Sequence, residues 1–204
     1  IISETYMWRI IRRDAVSVLE DKNARESLSR YFDVMQDDKP AKFLIAKKIP
    51  ADFDEDDSLR NLWSLHEELL EEFSNLQRQI DTRVKRLDDL ETPNKSFLDL
   101  KEAIATRILE SCHFCMRKCG VNRLKGEIGY CRCGSQIVVS SIFEHLGEEP
   151  ELVPSGTIFT MGCTIRCLHC QNWTISQWFE KGEIYSPKRL ALAVEQLRKN
   201  AVSY

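Results

Sequence analysis

The chain has 204 residues, with 29 Lys and Arg against 32 Asp and Glu, a formal net charge of −3. So mild a balance carries no electrostatic footprint for nucleic acid or a membrane surface. No apolar run approaches the roughly 20 residues of a membrane span, and the N-terminus lacks a signal-peptide layout. A soluble, cytoplasmic protein of one or two domains, long enough to bury a real core, is expected. The chain begins at Ile1 rather than Met and stops at Tyr204 inside what reads as the start of a strand, so it reads as a piece of a longer protein.

Residues 1–110 hold no cysteine and carry 18 basic against 24 acidic side chains. Trp8, Ile11, Ala15, Val18 and Leu19, then Leu28, Tyr31, Phe32 and Met35, recur at helical spacing. Asp37 to Pro40 interrupts the pattern, and Phe43 to Ala46 fits either a short strand or a buried helical turn. An acidic loop over 52–57 ends in two candidate helix caps, Asp57 and Ser58. From Leu59 to Leu90 a stripe of Leu62, Leu65, Leu69, Phe73, Leu76, Ile80, Val84, Leu87 and Leu90 predicts one amphipathic helix over 59–90. It would pack on its own domain or pair as a coiled coil. His66 lies among apolar neighbours and reads as a flank of the core. Thr92-Pro93-Asn94 closes this segment, and Ser96 caps a shorter helix through Leu109.

All eight cysteines follow residue 111. In a short secreted chain they would read as a disulfide framework. Here the spacings C-x2-C, C-x3-C and C-x-C, with no secretion signal, point to ligands converging on a metal in a reducing compartment. Residues 111–150 form a Cys-rich metal-binding segment. Cys112, Cys115, Cys119 and Cys131 would close a four-thiolate zinc site or hold an iron–sulfur cluster, since thiolate ligation alone does not separate the two. Cys133 is left as a spare, an alternative ligand or a free thiol, and His113 could replace one ligand. Gly120, Gly126, Gly129 and Gly134 supply the turns such a loop needs.

Residues 151–204 begin with Ser155 to Gly162, whose β-branched and aromatic content predicts a buried strand. Cys163, Cys167 and Cys170 follow as C-x3-C-x2-C, three thiols in eight residues. Three is one short of a closed zinc tetrahedron, whereas a 4Fe–4S cube held by three cysteines keeps one iron open. After Gln171 and Asn172 come a hairpin-like Glu180 to Glu183, a helix opening at Ser186-Pro187, and strand-like residues 201–204. Strand, loop, helix and strand together make a βαβ start.

C-x3-C-x2-C with His169 before its last cysteine resembles the signature of the radical S-adenosylmethionine superfamily. The wider stretch from Cys112 to Ser176 resembles its branch related to pyruvate formate-lyase-activating enzyme, the PflX-type iron–sulfur proteins. Its residues are Cys-x2-Cys-x3-Cys-Gly-Val-Asn-Arg, Gly-x-x-Gly-Tyr-Cys, Glu148-Glu149-Pro150, Gly156-Thr157-Ile158-Phe159 and Cys-x2-Cys-Gln-Asn. The resemblance implies an α/β fold. The start of a partial (β/α) barrel, truncated at the C-terminus, then follows the Cys-rich segment and a helical N-terminal region that is not part of the resemblance. The resemblance implies that Cys163, Cys167 and Cys170 ligate a 4Fe–4S cluster whose open iron binds S-adenosylmethionine. It also implies that His169 packs against the adenine, with Gln171 and Asn172 supporting the loop. An electron donor such as ferredoxin or flavodoxin would reduce the cluster. Cleavage to a 5′-deoxyadenosyl radical would then activate a glycyl-radical enzyme or modify another protein. The glycine-rich strand end that binds the methionine moiety in relatives is not within these 204 residues. A non-catalytic zinc or iron–sulfur protein and an electron-transfer module are the other readings of the same thiols.

Overall fold

The computed structural model of the protein describes residues 7–18, 20–178 and 181–201. The chain divides into two compact units, one formed by residues 30–111 and the other by residues 1–29 together with 112–204. Helices before residue 30 therefore belong with the cysteine-bearing half, although composition alone groups them with the acidic segment.

The first unit is helical: α4 (Ser29–Met35), α5 (Lys42–Ala46), α6 (Leu59–Asp81) and α7 (Phe97–Glu110). Phe43 to Ala46 is thus a helical turn. Ser58 caps α6 by accepting from the Asn61 N–H at 3.2 Å. Ser96 and Asp99 form a reciprocal capping box at the start of α7, satisfying two donors that a helix N-terminus otherwise leaves unpaired. Ala46, Ile49, Phe53, Leu62, Phe97, Leu100, Ile104 and Ile108 are buried together, and Leu65, Leu69, Phe73 and Leu76 of α6 pack against them. The stripe on α6 is therefore satisfied within this unit.

The expected helix over 59–90 is corrected: it ends at Asp81. Arg83 turns left-handed at φ 59°, and the N–H groups of Val84 and Lys85 fold back onto the Gln79 carbonyl at 2.8 and 3.2 Å. Val84 is left exposed, and Leu87–Asp89 forms a separate 3-10 turn. Periodicity carried past the true end because Leu87 and Leu90 keep the helical phase by spacing alone, while a helix stop without glycine or proline leaves no mark in an apolar pattern.

The second unit contains α1 (Met7–Ile11), α2 (Arg13–Val18), α3 (Lys22–Ser27), β1 (Ile137–His145), β2 (Ser155–Thr160), β3 (Glu183–Tyr185) and α8 (Pro187–Ala201). Its sheet has the order β2-β1-β3 and is antiparallel throughout. Ser141 pairs with Phe159 and His145 with Ser155, after an irregularity between Val139 and Ser141. Trp8 and Ala15 are buried with Val153, and the Arg12 guanidinium donates to the carbonyls of Leu146 and Glu148. A Cβ on Gly156 would sit 3.1 Å from Leu197 Cβ, so bare backbone at that point lets α8 lie close on β2.

The protein is thus mixed, with a helical N-terminal region and a small antiparallel sheet. Strand β1 is absent from the sequence reading, although Ile137-Val138-Val139 and Ile142-Phe143 carry the β-branched and aromatic signal. The dense cysteines just before it drew that stretch into the metal-binding segment. The expected hairpin-like stretch Glu180 to Glu183 runs into β3 (Glu183–Tyr185), which pairs with the N-terminal end of β1. The strand expected at 201–204 falls on α8 at Ala201 and otherwise lies outside the described residues. No described helix is long and apolar enough to cross a membrane.

Candidate metal centre

Cys112 opens a loop that closes on itself. Its N–H donates to the Val121 carbonyl at 3.0 Å, and the Gly120 N–H returns a bond to the Cys112 carbonyl at 2.9 Å. Gly120 takes φ 68°, a left-handed turn that glycine adopts without Cβ strain. Cys115 lies on this loop, its carbonyl accepting from the Lys118 N–H at 3.0 Å. Past it, Asn122 accepts from Lys125 N–H and caps a 3-10 turn, Arg123–Lys125, that ends at left-handed Gly126.

That turn buries Arg123, 6% exposed. Its guanidinium donates to the Cys133 carbonyl and, at 3.4 Å, to the Cys131 sulfur. Cys119 approaches from the other side, its sulfur accepting from the Tyr130 N–H at 3.5 Å. A Cβ on Gly129 would fall within 2.8 Å of the Arg123 guanidinium and 3.1 Å of the Cys119 sulfur, so only glycine fits between them. Burial opposes the Arg123 charge, yet hydrogen bonds to the Cys112 and Cys131 sulfurs hold its pKa above the ordinary value. Burial likewise opposes the Cys131 thiolate, which the Cys133 N–H and the Arg123 guanidinium nevertheless bring below the usual thiol range. Cys112 and Cys131 thus both face one buried cation.

The second group follows β2. Met161 is buried, and its N–H donates to the Val138 carbonyl at 2.9 Å. Gly162, at φ 93°, turns the chain out of the strand, and its N–H reaches the Ile175 carbonyl at 3.0 Å. The Cys163 sulfur then accepts from the N–H groups of Ile165 and Arg166 at 3.4 and 3.5 Å. Those two bonds, Arg166 first, draw the Cys163 thiol below its ordinary pKa. Cys170 N–H donates to the Cys167 carbonyl at 3.3 Å, and its sulfur lies 3.4 Å from the hydroxyl of buried Ser176. Ser176 belongs to a π-helical turn, Thr174–Trp178, whose Gln177 side chain donates to the Cys167 carbonyl at 2.8 Å.

All eight cysteines are free thiols, Cys112 buried and the others half-buried. Among the described residues, no three His, Cys, Asp or Glu side chains stand together as a finished ligand set. His169 and Leu168 are exposed on the triplet loop. Asn172 supports the loop through its carbonyl, which accepts from Ile175 and Ser176 N–H. Ser176 and Gln177, which touch Cys170 and Cys167, were not singled out in the sequence. A serine or glutamine six to ten residues from its partner has no spacing rule that would reveal it.

The two cysteine groups meet. Cys133 Sγ donates to the Met161 carbonyl at 3.4 Å, and Arg132 donates to the Gln177 carbonyl at 3.1 Å. Two guanidinium groups lie over the Tyr130 ring, Arg117 at 3.8 Å and Arg166 at 4.5 Å from its centroid.

No protein-family model matches the chain, and no solved structure matches it significantly. The chain is similar to Uncharacterized protein MJ0674 of Methanocaldococcus jannaschii, 40% identical over 177 residues that cover 84% of this chain and 50% of that protein. It is also similar to Uncharacterized protein MJ0808 of the same organism, 34% identical over 83 residues that cover 33% of this chain and 24% of that protein. The chain therefore spans about half the length of the first of these relatives, and neither name states an activity.

Proposed function

We propose that this chain carries the cluster-binding part of a radical S-adenosylmethionine enzyme of the pyruvate formate-lyase-activating type. The observation that carries the reading is the triplet itself: three unpaired thiols in one short loop after β2, with hydrogen-bond donors already in place at Cys163 and Cys170. N–H and O–H groups directed at sulfur stabilise thiolate and lower the electron density on a cluster's ligands, so the donor chemistry fits a 4Fe–4S centre. Cys163, Cys167 and Cys170 would hold three irons, and the fourth would be free for the amino and carboxylate groups of S-adenosylmethionine. Such a centre, when bound and reduced by ferredoxin or flavodoxin, supplies the electron that cleaves the sulfonium C–S bond to a 5′-deoxyadenosyl radical, which takes a hydrogen from substrate.

In this reading Gly162 turns the chain so that the triplet leaves the strand end, and Gln177 and Ser176 hold Cys167 and Cys170 from behind. His169, exposed on the same loop, would flank the adenine. Strand β2 and α8 would open a partial (β/α) barrel completed by later βα units, and the greater length of the first relative accommodates them. The substrate class would be a protein, a glycyl-radical enzyme or another polypeptide. Cys112, Cys115, Cys119 and Cys131 would form a second, structural thiolate site for zinc or iron–sulfur, its negative charge offset by Arg123. A wholly structural protein, with both groups holding zinc or an inert cluster, is the second reading. The closed backbone loop at Cys112 and the buried Arg123 favour it for the first group only.

The test is anaerobic reconstitution of the full-length protein. The proposal expects about four irons at the triplet beyond the metal of the first group, and 5′-deoxyadenosine from S-adenosylmethionine under reducing conditions. Cys163→Ala, Cys167→Ala and Cys170→Ala should each abolish that product. A protein that takes up zinc alone, or that forms product in all three variants, overturns the reading.

A further inference from the structure

Arg166 is the last residue of the C-x3-C spacing, immediately before Cys167, and three features bear on its role. Its backbone is left-handed, at φ 59°, a conformation that a side chain with a Cβ adopts only when its surroundings impose it. Its own N–H is directed at the Cys163 sulfur at 3.5 Å. Its guanidinium lies over Tyr130, 4.5 Å from the ring centroid. Two of its three nitrogens, Nε and one Nη, are buried and have no hydrogen-bond partner. Guanidinium N–H groups removed from water and left unpaired are costly. A fold that keeps them so, within electrostatic reach of the Cys163 thiol, holds them ready for an acceptor that arrives later.

The acceptor has to be anionic and has to belong to the triplet. A 4Fe–4S centre carried by three thiolates is negatively charged, and its sulfurs accept N–H groups. Tyr130 explains how the cation stays in position. It belongs to the first cysteine segment, immediately before Cys131, and Arg117 also lies over its ring, 3.8 Å from the centroid. A planar cation stacked on an aromatic ring gives up little freedom when it then donates in its own plane. The neighbouring Arg132 to Gln177 to Cys167 chain ties the same segment to the same loop by a separate route, at 3.1 and 2.8 Å.

We propose that Arg166 is the cation that compensates the iron–sulfur centre of the Cys163, Cys167 and Cys170 triplet, and that Tyr130 is the positioning residue that holds it there. The first cysteine segment then tunes the second group besides folding beside it. This inference rests on the radical enzyme reading of the triplet.

The experiment is a potentiometric titration, followed by electron paramagnetic resonance, of the full-length protein reconstituted anaerobically. It compares wild type with Arg166→Gln, Tyr130→Phe, Tyr130→Leu and the Arg166→Gln/Tyr130→Leu double variant. A nearby positive charge stabilises the reduced, more negative cluster. Arg166→Gln should therefore retain its iron and shift the midpoint to more negative potential. Tyr130→Phe keeps the ring and should titrate as wild type. Tyr130→Leu should shift in the same direction as Arg166→Gln, and the double variant should go no further than Arg166→Gln alone, because both changes remove one interaction. An iron-loaded Arg166→Gln protein with the wild-type midpoint overturns the inference and leaves the enzyme reading standing. If Arg166→Gln fails to load, Tyr130→Leu decides, and an unchanged midpoint there overturns the inference. A wild type that binds no iron–sulfur centre overturns both.

Discussion

The sulfur of Cys133 donates to the carbonyl oxygen of Met161 at 3.4 Å, tying the last cysteine of the first group to the residue two places ahead of Cys163. A sulfur that donates is a thiol. Burial, followed by the neighbouring Cys131 thiolate, pushes the Cys133 pKa up to about 11. At neutral pH it is therefore protonated, a hydrogen-bonding clasp between the groups.

Cys133→Ser keeps a donor of similar shape and should retain the wild-type metal content at both groups. Cys131→Ser removes a sulfur whose pKa the Cys133 N–H and the Arg123 guanidinium lower, and should cost the first group its metal. Metal analysis of the two purified variants checks this. Equal losses in both would make Cys133 a ligand after all.

Gly182 sits under the strand end that carries the triplet. A Cβ there would meet Val138 Cγ1 at 2.7 Å and Met161 Cγ at 2.9 Å. Gly182→Ala should lower stability by about 1–3 kcal/mol, the usual range for overpacking a filled site, as read by thermal or denaturant unfolding. Met161→Ala in the same background opens the space and should recover part of the loss. An unchanged midpoint in Gly182→Ala would mean that β3 moves freely relative to β1.

His66 lies between Trp63 and Phe97, each ring centroid 5.1 Å away, with its Nε2 2.7 Å from the Lys101 ammonium. Burial first, and the Lys101 charge second, lower its pKa below 6.5, with Glu67 opposing. Neutral His66 accepts from Lys101, so its contribution to stability is complete above the unfolded value and is lost as pH falls through the lower folded one. An NMR titration should place His66 below the ordinary histidine range. In Lys101→Met it should rise yet stay below that range, since burial is the larger cause. A titration curve that does not move in the variant would remove Lys101 from the account.

The chain alone determined the local features, because each is written within a few residues. Ser58 and Ser96 announce helix starts by the acceptor they place before an apolar run, and the eight-residue triplet announces thiolate chemistry by count and spacing. The end of α6 escaped it, since a left-handed arginine at 83 looks like any other polar residue in a helical pattern. Strand β1 escaped it because the neighbouring cysteines dominated the reading of residues 111–150. What only the tertiary structure decided is who meets whom. The pairing of β1 with β2 and β3 sets the Cys133 segment beside Met161, and from there Tyr130 reaches Arg166 across 35 intervening positions. Spacing encodes ligands that share a loop. A stacked ring or a carbonyl clasp between distant segments depends on how a sheet closes, and sheet closure is set by many weak, non-local contacts that no single stretch of sequence displays.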